Sequence, residues 1–466
     1  MRKRNAVRAA AAVLAAMMAL TACGGGGGNE TTAAAGGDTG STAAGGDAAA
    51  SGSGEVGKTD ITFAMGADIV TLDPAGQQDT TTSVIIKHVY STLLDISDEG
   101  ELVPDLAESY ELVNDTDFVF KLREDAVWSD GTPVTANDVK FTFDRAKNMP
   151  KTKSNTSKVK EVVVDNEHQV TIKLTEPYAP FKSIVANSNL SIVQEAAVTA
   201  AGEAYGDADN AVGSGPFTVK EWVPNDHYTL EKNANYWGEE PITTSITCRV
   251  IPEGSARAIA LETGEVDLVW NVDPTDCSNI EANSDVKLLS QPSSSIEYLG
   301  MNVTKEHFKD QKVRQAINYA IDKQALVDTI VEGRGTVANS YINNTIPGWT
   351  DEVEAYPYDP EKAKELMAEA GYPDGFSCQL WVNGDVRTRS AQMVQAQLAE
   401  IGITVDISTM EWGAFLDALN AGEHEMFILG WSNGTFDADG STYQLFHSSN
   451  HGATGNRAFM TDATVD

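Results

Sequence analysis

The chain has 466 residues, 41% of them hydrophobic and 22% charged, a composition that supports a sizeable core and two or three domains. Its 68 acidic against 33 basic residues leave a net charge of −35, which makes nucleic acid and anionic lipid poor partners and favours solubility without naming a ligand. With four cysteines in the whole chain, a dense disulfide scaffold is excluded.

The N-terminus carries Arg2, Lys3 and Arg4, then an almost wholly apolar run from Ala9 to Leu20. That run is shorter than the roughly 20 residues a bilayer span needs, but it suits a signal-peptide core. It ends in Leu20-Thr21-Ala22-Cys23, which resembles the bacterial lipobox. The resemblance implies that residues 1–22 are removed and that Cys23 is lipidated, holding the protein to the outer face of the cell membrane. Residues 23–57 are then a Gly-, Ala- and Thr-rich tract with almost no large apolar side chain, expected to be a disordered tether reaching roughly 30 Å. Within it, Gly52-Ser53-Gly54-Glu55-Val56-Gly57-Lys58-Thr59 satisfies GxxxxGK[ST]. That loop works only between a strand and a helix. Here an alanine-rich linker precedes it and the strand-like Asp60-Ile61-Thr62-Phe63-Ala64-Met65 follows, so nucleotide binding is discarded. Setting Cys23 aside leaves Cys248, Cys277 and Cys378, an odd number, with a Cys248–Cys277 bridge left open.

Beyond the tether the periodicities alternate between strand and helix. Phe118, Phe120 and Leu122 alternate along one strand, and Val170, Ile172 and Leu174 along another. Thr135-Ala136-Asn137-Asp138 reads as a capping box opening a helix toward Ala146. Asp310 caps a helix whose face is Val313, Ile317, Ala320 and Ile321. Asp359-Pro360 opens another, with Ala363, Leu366, Met367 and Ala370 on one stripe and Gly371 and Pro373 closing it. A regular alternation follows: strand Leu380-Trp381-Val382, helix Arg389 to Ile401, strand Ile403-Val405-Ile407, helix Glu411 to Ala421, strand Met426 to Leu429. Such spacing predicts a parallel sheet covered by helices, with ligands beyond the strands' C-terminal ends. Those ends are Asp385–Arg389, Thr409–Trp412 and Gly430–Asp439.

An ordered set of short motifs runs through this body: Leu72-Asp73-Pro74, Val103 to Tyr110, Trp128 to Thr135, Gly213-Ser214-Gly215-Pro216-Phe217, Asn235-Tyr236-Trp237-Gly238, Val313 to Ile317, Tyr358-Asp359-Pro360, Glu411-Trp412-Gly413 and Gly430-Trp431. Together they resemble the peptide/nickel-type (dipeptide- and oligopeptide-binding) extracellular solute-binding proteins of ABC importers, from Ile61 onward. The resemblance implies an α/β fold, a two-lobed clamp of the periplasmic-binding-protein kind. Lobe I would be 58–95 and 212–290, an inserted subdomain 96–211, and lobe II 291–466. It implies a substrate-binding component, expected to be a monomer without cofactor, that takes a peptide or related small solute to the membrane permease. Hinges would lie near Val212–Gly215 and Gln291–Tyr298. Members continue past a segment like Asn456-Arg457 to Val465-Asp466 and return to the first lobe, so lobe I and lobe II are both expected to be incomplete.

The alternative is an exported hydrolase. However, Gly213-Ser214-Gly215-Pro216 lacks the G-x-S-x-G spacing of a nucleophile elbow and reads as a tight turn. His447 and His451 are four apart, but Ser448-Ser449-Asn450 and Gly452 argue for a loop and no HExxH exists, so no metal is expected. For the cleft, Trp412 and Trp431 follow strand ends, and family counterparts line the ligand cavity; core packing is the commoner fate of tryptophan. Trp128, Trp222 and Trp237 are assigned to structure. In dipeptide-binding relatives an aspartate three residues after Gly-Trp takes the ligand's amine, and an arginine before the long helix takes its carboxylate. Those positions here are Gly434 and Trp381. Nearby replacements are Asp437 or Asp439 for a cation and Arg387 or Arg389 for an anion, weighed against solvated loop charges. The resulting expectation is a longer peptide, or another amine-bearing solute, held by Asp437 and stacked on Trp431.

Overall fold

The computed structural model describes residues 57–97 and 100–466. The signal segment, Cys23 and nearly all of the tether lie outside these residues. Lys58, in the phosphate-loop-like match, pairs with Asp267 at 2.7 Å, and a strand, Asp60–Met65, follows it.

That strand lies in a five-stranded sheet in the order Leu268–Val269, Asp60–Met65, Ser245–Val250, His227–Lys232, Phe217–Val223. Its pairings with 245–250 and 268–269 are parallel and the others antiparallel. Met65, Tyr228, Leu230 and Cys248 pack there against Ile85, Ile86 and Val89 of the helix Thr80–Val89. A second, antiparallel sheet of Ala107–Leu112, Asp117–Leu122, Gln169–Leu174 and Val159–Asn166 buries the alternating Phe118, Phe120, Leu122, Val170, Ile172 and Leu174. Trp128, Phe181, and Val139 and Phe143 of the helix Ala136–Ala146 cover that face. Asp138 accepts the Thr135 N–H at 3.0 Å, as the capping pattern requires.

The short motifs tie these two sheets together. Asp73 caps the turn at Ala75 and receives Arg145 from the helix Ala136–Ala146. Gly215 donates to the Val89 carbonyl at 2.9 Å, Asn233 donates to Gly215, and Trp237 donates to Ser214. A Cβ on Gly213 would lie 1.9 Å from the Val89 oxygen, so only glycine fits.

The third sheet has the order Ser295–Met301, Met426–Ser432, Ser377–Val382, Thr404–Thr409. Its last three strands are parallel, as the alternation predicts, while 295–301 runs antiparallel at the edge. One face packs on the helices Gln311–Ala320, Pro360–Glu369 and Asp385–Ala399 through Val313, Ile317, Leu366, Met367, Ala391, Val394 and Leu398.

Three boundaries differ from the sequence reading. The long helix starts at Asp385, not Arg389, because Gly384 turns the chain at φ +78° and four more residues can then coil. The last strand runs through Trp431, which pairs with Ile296 and so lies inside the ladder, not beyond it. Tyr298 likewise belongs to the 295–301 strand. Cys248, Cys277 and Cys378 are buried, free thiols, so Cys248 and Cys277 form no bridge.

Candidate functional site

The opposite face of the third sheet turns toward the first. Phe427, Leu429 and Tyr298 join Trp412, Phe415, Leu416 and Leu419 of the helix Trp412–Asn420 and meet Ala67 and Val70 across the seam. A cavity of about 430 Å³ opens along this seam. Asp68, Val70, Trp222 and Asn225 line one wall, and Glu411, Leu416 and Asp417 the other, with Lys151 between them. Its volume falls within the range of small-molecule sites. Asp68 is fully committed: Trp222 Nε1 reaches its two oxygens at 3.2 and 3.1 Å, and the Asn225 N–H reaches it at 2.7 Å. Trp222 is thus both structural and a wall of the cavity.

The residues singled out from the sequence surround the seam without forming one cluster. Arg387 and Arg389 sit in the first turns of the helix Asp385–Ala399 rather than on a loop. Arg387 pairs with Glu297 and lies 5.7 Å from the Trp412 ring centroid. Arg389 crosses the seam to the buried Asp273 at 2.7 Å. Burial pushes the Asp273 carboxyl up, but hydrogen bonds from Arg389 and Thr275 outweigh it and hold the group below the usual range. Trp431 is buried and donates from Nε1 to the Gly440 carbonyl at 3.1 Å. Asp437 accepts the Asp439 N–H at 3.0 Å. Asp439 accepts the Tyr178 hydroxyl, and burial pushes its carboxyl up.

Other polar groups converge on the seam, and sequence reasoning missed them. Gln78 donates to Gln444 at 3.0 Å and to the Thr454 carbonyl at 3.3 Å. Gln444 donates in turn to Asn155 at 2.8 Å, and Asn155 to Asn189 at 3.0 Å. Asp79 caps the helix Thr80–Val89 through one oxygen, 2.8 Å from the Thr82 N–H, while its other oxygen is buried without a partner. Burial raises its pKa. The Trp412 N–H is likewise buried and unpartnered; it lies near enough to favour the Asp79 carboxylate but outside hydrogen-bond geometry. Arg457 is buried, and its Nε donates to Asn420 at 3.1 Å. Among the described residues its two terminal nitrogens have no acceptor. Asp79 was readable as a helix cap, but its orphan oxygen has no sequence signal. Lys151 and Gln444 belong to no motif, and Arg457 was noted only as part of a terminal segment.

Among the described residues no three His, Cys, Asp or Glu side chains are grouped to hold a metal, and no helix is long and apolar enough to cross a membrane. His447 bonds Ser449 at 2.8 Å and His451 approaches the Met460 carbonyl at 2.7 Å.

Residues 101–453 match the family described as bacterial extracellular solute-binding proteins, family 5 middle. The glutathione-binding protein GsiB of Escherichia coli (strain K12) is 34% identical over 420 residues, 87% of this chain and 81% of that relative. Among solved structures, the periplasmic binding protein DppA from Helicobacter pylori in complex with peptide STSA superposes with a TM-score of 0.83 at 29% identity, covering 87% of this chain and 84% of that one. AgaA of A. tumefacien R10, in complex with agropinic acid, gives a TM-score of 0.82 at 27% identity, covering 87% and 84%.

Proposed function

The chain belongs to family 5 of the bacterial extracellular solute-binding proteins, and from that premise we propose that it captures a peptide or peptide-like solute at the seam between its lobes and delivers it to an ABC permease. It is a peptide/nickel-type solute-binding protein of an ABC importer, and a binding protein rather than an enzyme; the hydrolase alternative is not favoured. The observation that carries the proposal is the seam itself: a cavity of about 430 Å³ opens along it, and Gln78 Oε1, Asp79 Oδ2 and Trp412 Nε1, on residues outside the cavity lining, are buried without a partner. A purely structural interface would pair those groups, because a buried unpaired donor or acceptor costs about 1–3 kcal/mol.

The relatives' solutes, glutathione, a tetrapeptide and agropinic acid, share a carboxylate beside nitrogen functions, and that chemistry is the class proposed here. Trp412, Trp431, Arg387, Arg389, Asp437 and Asp439 are the side chains proposed to border the solute, in a molecule divided as 58–95 with 212–290, an inserted 96–211, and 291 onward. Lipid attachment at Cys23 is part of the same proposal, supported by the lipobox-like sequence and the tether after it. Native mass spectrometry of the purified protein tests the binding reading. Release of a non-covalent small solute that rebinds saturably is the expected result, and failure of every peptide and peptide-like solute to bind is the contrary one.

A further inference from the structure

Most buried or half-buried arginines of the described chain place their terminal nitrogens on protein acceptors, Arg257 leaving only its Nε without a partner. Arg145 pairs with Asp73 and Arg389 with Asp273, and Arg257 donates to the Ile251, Pro252 and Asn271 carbonyls. Arg457 stands apart. It is 6% exposed, bonds only Asn420 through Nε, and takes part in no ion pair within 4 Å among the described residues. Lys151, half-buried on the cavity wall, has no ion-pair partner either.

Arg457 bonds Asn420 at the end of the helix Trp412–Asn420, whose Leu416 and Asp417 line the cavity with Lys151, and Gln78, the neighbour of Asp79, bonds the Thr454 carbonyl three residues before Arg457. Yet Arg457, Lys151 and Asp79 do not close onto one another. Of the acidic neighbours of Lys151 besides Asp79, Asp73 is taken by Arg145 and Asp417 is exposed on the cavity wall, so two cations face the one buried carboxylate left free. The fork of Arg457 has no acceptor among the described residues, and a carboxylate fills such a fork with two parallel, charge-assisted bonds. Beside it, Asp79 Oδ2 and Gln78 Oε1 are buried acceptors without donors, suited to N–H groups next to such a carboxylate.

We propose that Arg457 and Lys151 form the carboxylate-binding subsite of the solute, with Asp79 and Gln78 receiving the adjacent N–H donors. The proposal rests on the solute-binding reading and adds which residues hold which end.

The test compares tri- to pentapeptides bearing a free C-terminal carboxylate with their C-terminal amides, by calorimetric titration of wild type, Arg457→Gln and Lys151→Gln. Lys151 is only half-buried, so its variant keeps the test valid should Arg457→Gln fold poorly. Wild type should prefer the acids by about tenfold or more, the range of a charge-assisted pair, and each variant should shrink that preference severalfold. Equal binding of acids and amides by wild type, or an undiminished preference in the variants, overturns the subsite alone. Wild type that binds neither form overturns it together with the solute-binding reading.

Discussion

His424 is wholly buried; its Nε2 faces the Arg457 carbonyl at 2.8 Å and its Nδ1 has no partner. A neutral ring donates from Nε2 and leaves Nδ1 bare, whereas the imidazolium would strand a second N–H. Burial accordingly lowers its pKa from 6.5 to about 4, against the opposing pull of the Arg457 carbonyl. The unfolded ring takes its proton near pH 6.5 and the folded ring only near 4. The ring's contribution is therefore complete above pH 6.5 and is lost as pH falls through that window, by up to about 3 kcal/mol. Urea denaturation at pH 7.5 and 4.5 should show a larger acid loss in wild type than in His424→Gln; parallel losses would contradict the assignment. Burial also raises the thiols, Cys248 and Cys378 to about 12 and Cys277 in the same direction. A thiolate-seeking reagent should leave Cys248, Cys277 and Cys378 of the native protein unmodified at pH 8. In guanidinium it should find three thiols if Cys23 is lipidated and four if it is free. Rapid modification of any of those three in the native protein would refute the burial account.

Two glycine turns show how differently one residue type acts within an element. Gly371 and Gly375 both have positive φ, +87° and +76°. A Cβ at 371 meets nothing within 4 Å, while at 375 it would lie 1.8 Å from the Gly402 carbonyl oxygen. Gly371→Ala should cost about 1–2 kcal/mol from backbone strain alone. Gly375→Ala should cost about 3 kcal/mol or more, since strain and overpacking add. Equal melting temperatures for the two variants would contradict this packing of the turn before strand Ser377–Val382 against the end of helix Asp385–Ala399. Elements of this kind were readable because their signals are local: alternation for the strands, and Asp310, Asp359 and Thr135 as caps. The antiparallel edge strand Ser295–Met301 and the early start of the 385–399 helix were not readable. Pairing direction is set by distant chain, and the helix start by a glycine turn whose φ no periodicity encodes. The seam groups were hidden for the same reason. Asp79, Lys151 and Arg457 converge from separate parts of the chain, and each is ordinary in its own sequence context.

At the scale of the molecule, the two lobes meet through contacts of two kinds. The Gln444–Asn155 hydrogen bond and the Arg389–Asp273 pair are satisfied within the protein. The groups around Arg457 are not. The first kind aligns the lobes, and the second leaves free energy to be gained when a solute arrives. Differential affinity for the closed form is what makes such a solute shift the lobe equilibrium. Stabilisation should follow mass action, about 2.7 kcal/mol at a hundredfold excess over Kd. Loss of the Arg389–Asp273 bridge in Arg389→Ala should weaken binding without abolishing it, because the bridge holds the lobes and does not depend on the carboxylate subsite. An Arg389→Ala variant binding as tightly as wild type in calorimetric titration would show that the bridge takes no part in closure.

The most direct measurement is calorimetric titration of the protein with glutathione and with tri- to pentapeptides, followed by recovery of the solute. Saturable one-to-one binding of at least one carboxylate-bearing member, recovered chemically intact, is the predicted result. Absence of saturable binding across the panel, or recovery of a cleaved solute, would contradict a clamp that captures without chemistry.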